Sequence, residues 1–323
     1  MTNRVEAEGI EILDRATAPR KPFYPPKPLF LAISVLAGLS LGTLLALGID
    51  VRDHRIRSLA DLERAIAGYG LPVLGVLPLL PQDARLGGGN IRAQRRQRDL
   101  HAFLYPQSMM AERCRGIRTS LTFTQGQTDH QVLMVTSPNS SEGKSSIAIN
   151  LAASFCQAGK KVVLIDADMR RPRLHQVFAA PLEHEDRGLS GLLAGTLEID
   201  EAIHKSGDDA PDSLWVLPCG AIPENPAELL EHPACRKVLA QLRERFDVVL
   251  LDTPPILPVT DPLILARQVD GVIVVARCQA TTRSAVQDAL GKLRQGDTNL
   301  LGVVLNEVDT RRSGYSGYNV EYY

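Results

Sequence analysis

The sequence predicts an α/β fold, in which a mostly parallel β-sheet carries helices on both faces and is preceded by one transmembrane helix. Three observations predict it. From about residue 108 onward, short runs of β-branched residues alternate with amphipathic stretches. Near the N-terminus lies a long run without any charge. With 323 residues, of which 44% are hydrophobic, the chain can also bury a large core.

Composition excludes several classes of protein. The 36 Lys and Arg residues nearly balance 37 Asp and Glu, and the net charge of −1 argues against a strongly basic nucleic-acid binder and against an acidic disordered chain. We therefore expect no nucleic-acid partner. The five cysteines are odd in number and lack C-x-x-C spacing, which predicts reduced core thiols and a cytosolic location for most of the chain.

The N-terminal part predicts a membrane anchor. Residues 1–28 are polar and proline-rich and predict an extended stalk. Residues 29–49 carry no charge, and a helix of this length crosses the roughly 30 Å hydrocarbon layer. They show no polar stripe and start too late for a signal peptide, so we expect a transmembrane helix. Basic residues flank both ends, and the positive-inside rule therefore does not orient it.

Residues 50–107 predict a juxtamembrane connector and a basic linker. Residues 58–68 indicate a short helix with Ser58 as its N-cap. The run LPVLGVLPLLP, at 71–81, is apolar but contains several prolines, and it predicts a strand-and-loop connector. Residues 83–98 are rich in Gly and Arg, which predicts a flexible linker able to assist at anionic lipid headgroups.

Residues 108–308 predict the α/β domain itself. The stretches 145–158 and 228–245 are amphipathic, and continuous apolar runs separate the helical stretches. Such runs indicate parallel strands that are buried on both faces of the sheet. The six predicted strands are residues 132–136, 162–166, 214–218, 248–252, 272–276 and 302–306.

A phosphate-binding loop follows the first of these strands. The sequence SPNSSEGKSS, at 137–146, places G-K-S between a strand and a helix, which is the context a P-loop requires. In such a loop Lys144 neutralises phosphate charge and the hydroxyl of Ser145 binds Mg²⁺. Pro138 stands where the usual motif has glycine. The predicted nucleotide contacts are Ser140, Ser141, Glu142, Gly143, Lys144, Ser145 and Ser146.

Three aspartates at two further strand ends strengthen this prediction. Asp166 and Asp168 end the second strand and, being two residues apart, point the same way. Asp252 ends the fourth strand in a Walker-B-like sequence. Because ligands bind at the carboxyl ends of parallel strands, these carboxylates and the loop predict a P-loop NTPase-like site for ATP and Mg²⁺.

The combination of motifs resembles the bacterial tyrosine kinases (BY-kinases) of capsule and exopolysaccharide synthesis, which belong to the wider class of Min/Par-type ATPases. The resemblance runs from about residue 25 to the C-terminus and includes D-M-R-R-P-R at 168–173, N-P-A-E-L-L at 225–230 and D-T-P-P at 252–255. Up to residue 74 the chain is similar only to the end of a Wzz-type chain-length-determinant region. The missing first membrane helix and periplasmic domain would then lie on another polypeptide, or the chain is a truncated form.

The resemblance implies catalytic roles for four residues. Lys144 would bind phosphate, and Ser145 and Asp252 would bind Mg²⁺. Asp166 would accept the phenol proton, while Asp168 would support the metal or the base, and these two roles can be exchanged.

It also implies weaker candidates and a subunit interface. Arg170 would contact phosphate or form a structural salt bridge. Asn306 would contact adenine or serve as a buried strand-end amide. Glu112, Arg115 and Arg118 match the family's E-x-x-R-x-x-R pattern, which implies contacts between subunits of a ring.

Residues 309–323 form a tyrosine-rich tail. Four of the seven tyrosines in the chain lie there, namely Tyr315, Tyr318, Tyr322 and Tyr323. Gly, Ser and Asn separate them, so packing does not explain their presence. We expect them to be phosphoacceptors for the active site of a neighbouring copy, and the alternative is an ordinary interaction tail.

The resemblance therefore predicts a protein-tyrosine autokinase of the bacterial inner membrane, with the kinase domain in the cytoplasm, where ATP is. Implied partners are further copies of the chain, the membrane, chain-length-determinant and polysaccharide export proteins, and a tyrosine phosphatase. The alternative is a membrane-linked partitioning-type ATPase that acts as a nucleotide-switched scaffold. Three features argue against it: Pro138, Asn139 (where those ATPases carry lysine) and the tyrosine tail.

Overall fold

The computed structural model describes residues 26–80, 91–124, 131–178, 187–207 and 210–309. The four tail tyrosines that are predicted phosphoacceptors lie outside the described residues. The chain divides into two units, Met1–Asp53 and His54–Tyr323.

The N-terminal unit contains one long helix, α1 (Lys27–Arg52). Its 22 residues Lys27–Gly48 have a mean hydropathy of 2.2 and are not buried, and they are long and apolar enough to cross a membrane. The hydroxyls of Ser34, Ser40 and Thr43 each donate to the carbonyl four residues earlier, at 2.8 Å. These three hydroxyl groups are thus satisfied within the helix, as a lipid environment requires.

The second unit is an α/β structure. Its helices are α2 (Leu59–Ile66), α3 (Ile91–Asp99), α4 (His101–Leu104), α5 (Met109–Thr124), α6 (Lys144–Gln157), α7 (Leu174–Phe178), α8 (Leu189–Ala194), α9 (Ile199–Ala202), α10 (Pro226–Glu231), α11 (Pro233–Arg245), α12 (Asp261–Ala266) and α13 (Arg283–Gln295). Its strands are β1 (Val73–Pro78), β2 (Val132–Thr136), β3 (Val162–Asp166), β4 (His204–Lys205), β5 (Leu214–Leu217), β6 (Val248–Asp252), β7 (Gly271–Arg277) and β8 (Leu300–Val308).

Within the described residues the strands form one sheet in the order β1-β8-β7-β2-β6-β3-β5-β4, parallel except for β4. Alternate side chains of β2 enter two different cores. Met134 packs in the same core as α8, α11 and α13, whereas Leu133 and Val135 pack in the same core as α5 and α6. Because helices cover both faces, the strands are continuously apolar, and the predicted fold class is confirmed.

The structure corrects the prediction that residues 50–107 form a connector outside the domain. β1 pairs with β8, and Leu74 and Leu77 are buried in the core. A strand at the end of a sheet tolerates prolines, so Pro72 can directly precede β1 and Pro78 can be its last residue. The expected flexible linker is helical over its second half, because α3 packs on α6 and α7.

Two local predictions about helices have different outcomes. Ser58 caps α2 as predicted, since its side chain accepts a hydrogen bond from the backbone N of Asp61 at 3.2 Å. The amphipathic stretch 228–245 is not one helix, because α10 ends at Glu231, α11 begins at Pro233, and His232 lies between them. His232 adopts the extended conformation that a following proline imposes.

Candidate nucleotide and phosphoryl-transfer site

The loop between β2 and α6 adopts an unusual backbone conformation. Ser141 and Gly143 have positive φ angles of 63° and 94°. At Gly143 an added Cβ atom would lie 2.0 Å from Nδ2 of Asn306. Both the backbone conformation and the nearby amide therefore require glycine immediately before Lys144.

Side chains from distant parts of the chain support this loop. The buried carboxylate of Glu142 accepts hydrogen bonds from the backbone N of Asn139 at 2.8 Å and from the hydroxyl of Thr281 at 2.6 Å. Burial raises the pKa of Glu142. Nδ2 of Asn306 donates to the backbone carbonyl of Glu142 at 3.0 Å, and Nη1 of Arg277 donates to that of Ser141 at 3.1 Å. The side chains of Glu142 and Asn306, both predicted to contact nucleotide, thus hold the loop.

A cavity of about 420 Å³ lies at the carboxyl ends of the strands. Its volume falls within the range typical of small-molecule sites. It brings together seven predicted site residues, which are Ser140, Ser141, Gly143, Lys144, Ser145, Asp168 and Arg170. Arg171 and Arg173 also line it. The cavity therefore combines the phosphate-binding loop with basic side chains from the segment that follows β3.

Lys144 lies among the predicted carboxylates. Its Nζ atom is 3.1 Å from Oδ2 of Asp168. Burial acts to lower the pKa of Lys144, but the negative charges of Asp252, Asp168 and Asp166 raise it overall. The ammonium group is therefore charged and available to a phosphate.

Asp166 and Asp252 lie side by side, because the register of β3 and β6 pairs them directly. Both carboxylates are buried. Oδ2 of Asp166 accepts hydrogen bonds from the backbone N atoms of Arg173 and Leu174, at 2.7 and 2.8 Å. Among the described residues, Oδ1 of Asp166 and both carboxylate oxygens of Asp252 have no hydrogen-bond partner. Burial raises the pKa of both groups, and the charge of Asp252 raises that of Asp166 further.

These oxygens fit a divalent cation. Mg²⁺ in nucleotide sites binds one or two carboxylates together with phosphate oxygens and water. The Ser145 hydroxyl is close enough to Asp252 to oppose the rise of its pKa, although it forms no hydrogen bond of normal geometry with it. Over the described ranges, no three His, Cys, Asp or Glu side chains group into a complete metal site. The protein thus offers part of a coordination shell, as expected where a nucleotide supplies the rest.

The sequence left two roles open for Arg170, contact with phosphate or a structural salt bridge. Arg170 forms a bidentate salt bridge with the buried Asp261, at 2.8 and 2.9 Å, which is the structural alternative for this residue.

On α5, Glu112 and Arg115 pair at 2.5 Å and both reach solvent, whereas Arg118 donates to the backbone carbonyl of Ser154. Glu112 lines a cavity of about 930 Å³ beside β1. The oligomer interface remains a prediction.

Four residues around the site were not among the predicted site residues, although one of them lies in a quoted motif. Thr281 and Arg277 support the loop from positions without a motif, and Asp99 belongs to the segment predicted as linker. Arg173 lies in the D-M-R-R-P-R motif, and that motif was the signal that pointed to it.

Known proteins share the fold of this chain. The family model of the AAA domain matches residues 131–299. Tyrosine-protein kinase wzc of Salmonella typhi is 34% identical over 313 residues, which cover 96% of this chain and 42% of that protein. The chain spans about two fifths of the length of the curated relatives it matches first.

Solved kinase domains are similar over nearly their whole length. The kinase domain of Escherichia coli tyrosine kinase ETK superposes with a TM-score of 0.67 at 31% identity, covering 77% of this chain and 95% of that domain. The BceF tyrosine kinase domain superposes with a TM-score of 0.68 at 32% identity, covering 79% of this chain and 99% of that domain.

Proposed function

The chain belongs to the bacterial tyrosine kinases, and from this membership we propose that it is an ATP-dependent protein-tyrosine autokinase that regulates capsular polysaccharide or exopolysaccharide synthesis, chain length or export. One observation carries the proposal: Lys144 and Asp168 line the phosphate cavity, and next to them buried oxygens of Asp166 and Asp252 lack donors among the described residues. This set of groups suits ATP with Mg²⁺.

The residues of the loop bind and orient the nucleotide. The first backbone N–H groups of α6 have no partner within the helix, so they are available to phosphate oxygens. Lys144 neutralises negative charge on the phosphates, including the phosphoryl group that is transferred. Ser145, Asp168 and Asp252 would hold Mg²⁺, which supplies further neutralisation of that charge.

A tyrosine phenol, with a pKa near 10, needs a carboxylate that receives its proton. Both oxygens of Asp168 already accept hydrogen bonds, from Lys144 and from the backbone N of Arg171. Asp166 has one unpartnered oxygen and a raised pKa, which supports it as the proton acceptor. Asp168 lines the cavity and Asp166 does not, so Asp168 is the alternative acceptor.

The phosphoacceptors in this proposal are Tyr315, Tyr318, Tyr322 and Tyr323 of another copy. A ring would form through Glu112, Arg115 and Arg118, and its neighbouring subunits would exchange tails. Each phosphate adds a charge of about −1.5 to −2, so a loaded tail would be repelled from the aspartates of the site. A tyrosine phosphatase would reverse this state.

In the cell, α1 would anchor the chain in the bacterial inner membrane, with the second unit in the cytoplasm, since ATP is there. Chain-length-determinant and polysaccharide export proteins would be its partners.

The test uses the full chain in detergent or nanodiscs with ATP and Mg²⁺, followed by mapping of phosphotyrosine. We expect phosphate on the tail tyrosines of the wild type and about 100-fold less on Lys144→Met. Hydrolysis of ATP with an unmodified tail would contradict the kinase and favour the nucleotide-switched scaffold.

A further inference from the structure

Asp99, the last residue of α3, is a buried acidic side chain outside the segment that matches the AAA domain. Its exposed fraction is 1%. Burying a carboxylate is unfavourable unless it is paired and hydrogen-bonded. Both of its oxygens are bonded, and both partners belong to the nucleotide site.

The two partners come from different sides of the site. The Ser146 hydroxyl, in the first turn of α6, donates to Oδ1 of Asp99. Nη2 of Arg173 donates to Oδ2 at 2.5 Å. Arg173 lines the phosphate cavity, and its backbone N donates to Asp166. One carboxylate therefore joins the phosphate-binding helix to the segment that follows the Asp166–Asp168 pair.

Asp99 is itself held in place. Nδ2 of Asn150, on α6, donates to the backbone carbonyl of Asp99 at 2.9 Å, and Oδ1 of Asn150 accepts from the backbone N of Ala102 at 2.8 Å. Nε of Arg96 donates to the carbonyl of Val177 at 2.6 Å. These bonds fix the end of α3 on α6 and α7, so the carboxylate has a defined position before any nucleotide binds.

We propose that Asp99 is a positioning residue for phosphoryl transfer, acting through Arg173 and Ser146. A guanidinium carries five N–H donors in a rigid fork, and the bond to Asp99 leaves most of them for phosphate oxygens. Arg173 is also close enough to Asp252 to lower its pKa against the effect of burial. By accepting a hydrogen bond from Nη2, Asp99 orients the rest of the guanidinium towards the cavity where the γ-phosphate is transferred.

The inference rests on the proposed function, and the test is designed to separate the two. Asp99→Asn is made in the full chain, and the matched control is Asp61→Asn. Asp61 is also buried and also pairs with an arginine, Arg283, at 2.5 Å, but this pair joins α2 to α13. Affinity for a fluorescent ATP analogue with Mg²⁺ and the rate of tyrosine phosphorylation are measured together with the melting temperature.

We expect Asp99→Asn to weaken nucleotide affinity or phosphorylation rate by about 10- to 100-fold, the usual effect of removing a group that orients a site residue. Asp61→Asn should lower the melting temperature and change neither quantity. A folded Asp99→Asn variant with the same nucleotide affinity and phosphorylation rate as Asp61→Asn and the wild type would overturn the inference. A wild type that binds nucleotide but phosphorylates no tyrosine would contradict the proposed function alone, and the affinity comparison would still test Asp99.

A double-mutant cycle with Arg173→Ala tests whether Asp99 acts through Arg173. Asp99→Asn should add little to the loss already caused by Arg173→Ala, because the two changes remove the same arrangement. Fully additive losses would overturn this route.

Arg173→Gln removes the other partner of the same ion pair. Because Arg173 is partly exposed, this variant replaces Asp99→Asn in the test if Asp99→Asn does not fold. A folded Arg173→Gln variant with wild-type affinity and rate would overturn the proposal.

Discussion

Lys144 and Asp168 form an ion pair inside the phosphate cavity, with Nζ of the lysine 3.1 Å from Oδ2 of the aspartate. The charges of Asp166 and Asp252 also stabilise the protonated form of this ammonium group. Before a nucleotide arrives, the lysine therefore balances the carboxylates. Phosphate oxygens would compete with Asp168 for it.

Lys144→Met should lower phosphorylation by about 100-fold, because a preorganised positive charge at the transferred phosphate is lost. The measurement is the rate of phosphotyrosine formation at saturating ATP and Mg²⁺. Lys237→Met, on the exposed surface of α11, is the control and should retain wild-type rates. An unchanged rate in Lys144→Met would contradict the assignment of this site.

Without nucleotide, the contribution of Asp166 to the stability of the protein should fall as the pH rises from about 4 towards about 8. Burial and the charge of Asp252 raise the pKa of Asp166 to about 8, whereas an unfolded aspartate titrates near 4. The folded state thus binds more protons than the unfolded state in this window, and the free energy of unfolding decreases with pH. The difference in melting temperature between the wild type and Asp166→Asn, measured across the window, checks this dependence.

Asp166→Asn should flatten that dependence and raise the melting temperature at pH 8, while tyrosine phosphorylation is lost. Asp61→Asn is the control, and its effect on stability should have the opposite sign. Burial alone would raise the pKa of Asp61, but hydrogen bonds from the Arg57 amide and Ser58, together with the charge of Arg283, lower it. Its removal should therefore destabilise the protein at neutral pH. A steeper pH dependence in Asp166→Asn would refute the argument.

Gly143→Ala should destabilise the loop and abolish nucleotide binding. A left-handed conformation costs an alanine about 1 to 2 kcal/mol, and the new Cβ atom would meet Nδ2 of Asn306 at 2.0 Å. Asn306→Ala removes the clash but also the hydrogen bond to the Glu142 carbonyl, so the double variant should lose less stability than the sum of the two single losses, as measured by denaturation with urea. Additive destabilisation in the double variant would exclude contact between the two residues as the cause.

Glu112→Ala combined with Arg115→Ala should reduce the oligomer mass while nucleotide affinity stays at the wild-type level. Arg118 is left intact, because it bonds to the Ser154 carbonyl within the same subunit. Light scattering on the full chain reports the mass. The control removes the exposed pair Lys205 and Asp212, which are 3.2 Å apart near β4. If both double variants keep the same mass as the wild type, the interface lies elsewhere.

Much of the site was predictable because its parts are local. G-K-S lies between an apolar strand and a helix, Asp166 and Asp252 end strands of the same kind, and Asp168 follows two residues after one of them. Position in the chain therefore places these residues at the carboxyl edge of a parallel sheet. For residues 71–81 the sequence predicted a strand within a connector but not that this strand joins the sheet, because its prolines exclude a central strand yet are compatible with one at the end of a sheet.

The sequence by itself determined the α/β class, the apolar N-terminal helix and the residues that face phosphate, since these follow from hydrophobic periodicity and from motifs within a few residues. The tertiary structure alone decided which of these residues meet. Strand register pairs Asp166 with Asp252. Arg170 bonds to Asp261, 91 residues away, and Arg173 bonds to Asp99, 74 residues away. The side chain of Asn306 bonds to the backbone carbonyl of Glu142, 164 residues away. Such bonds depend on strand order and on single side-chain directions, which leave no periodic signal in a sequence.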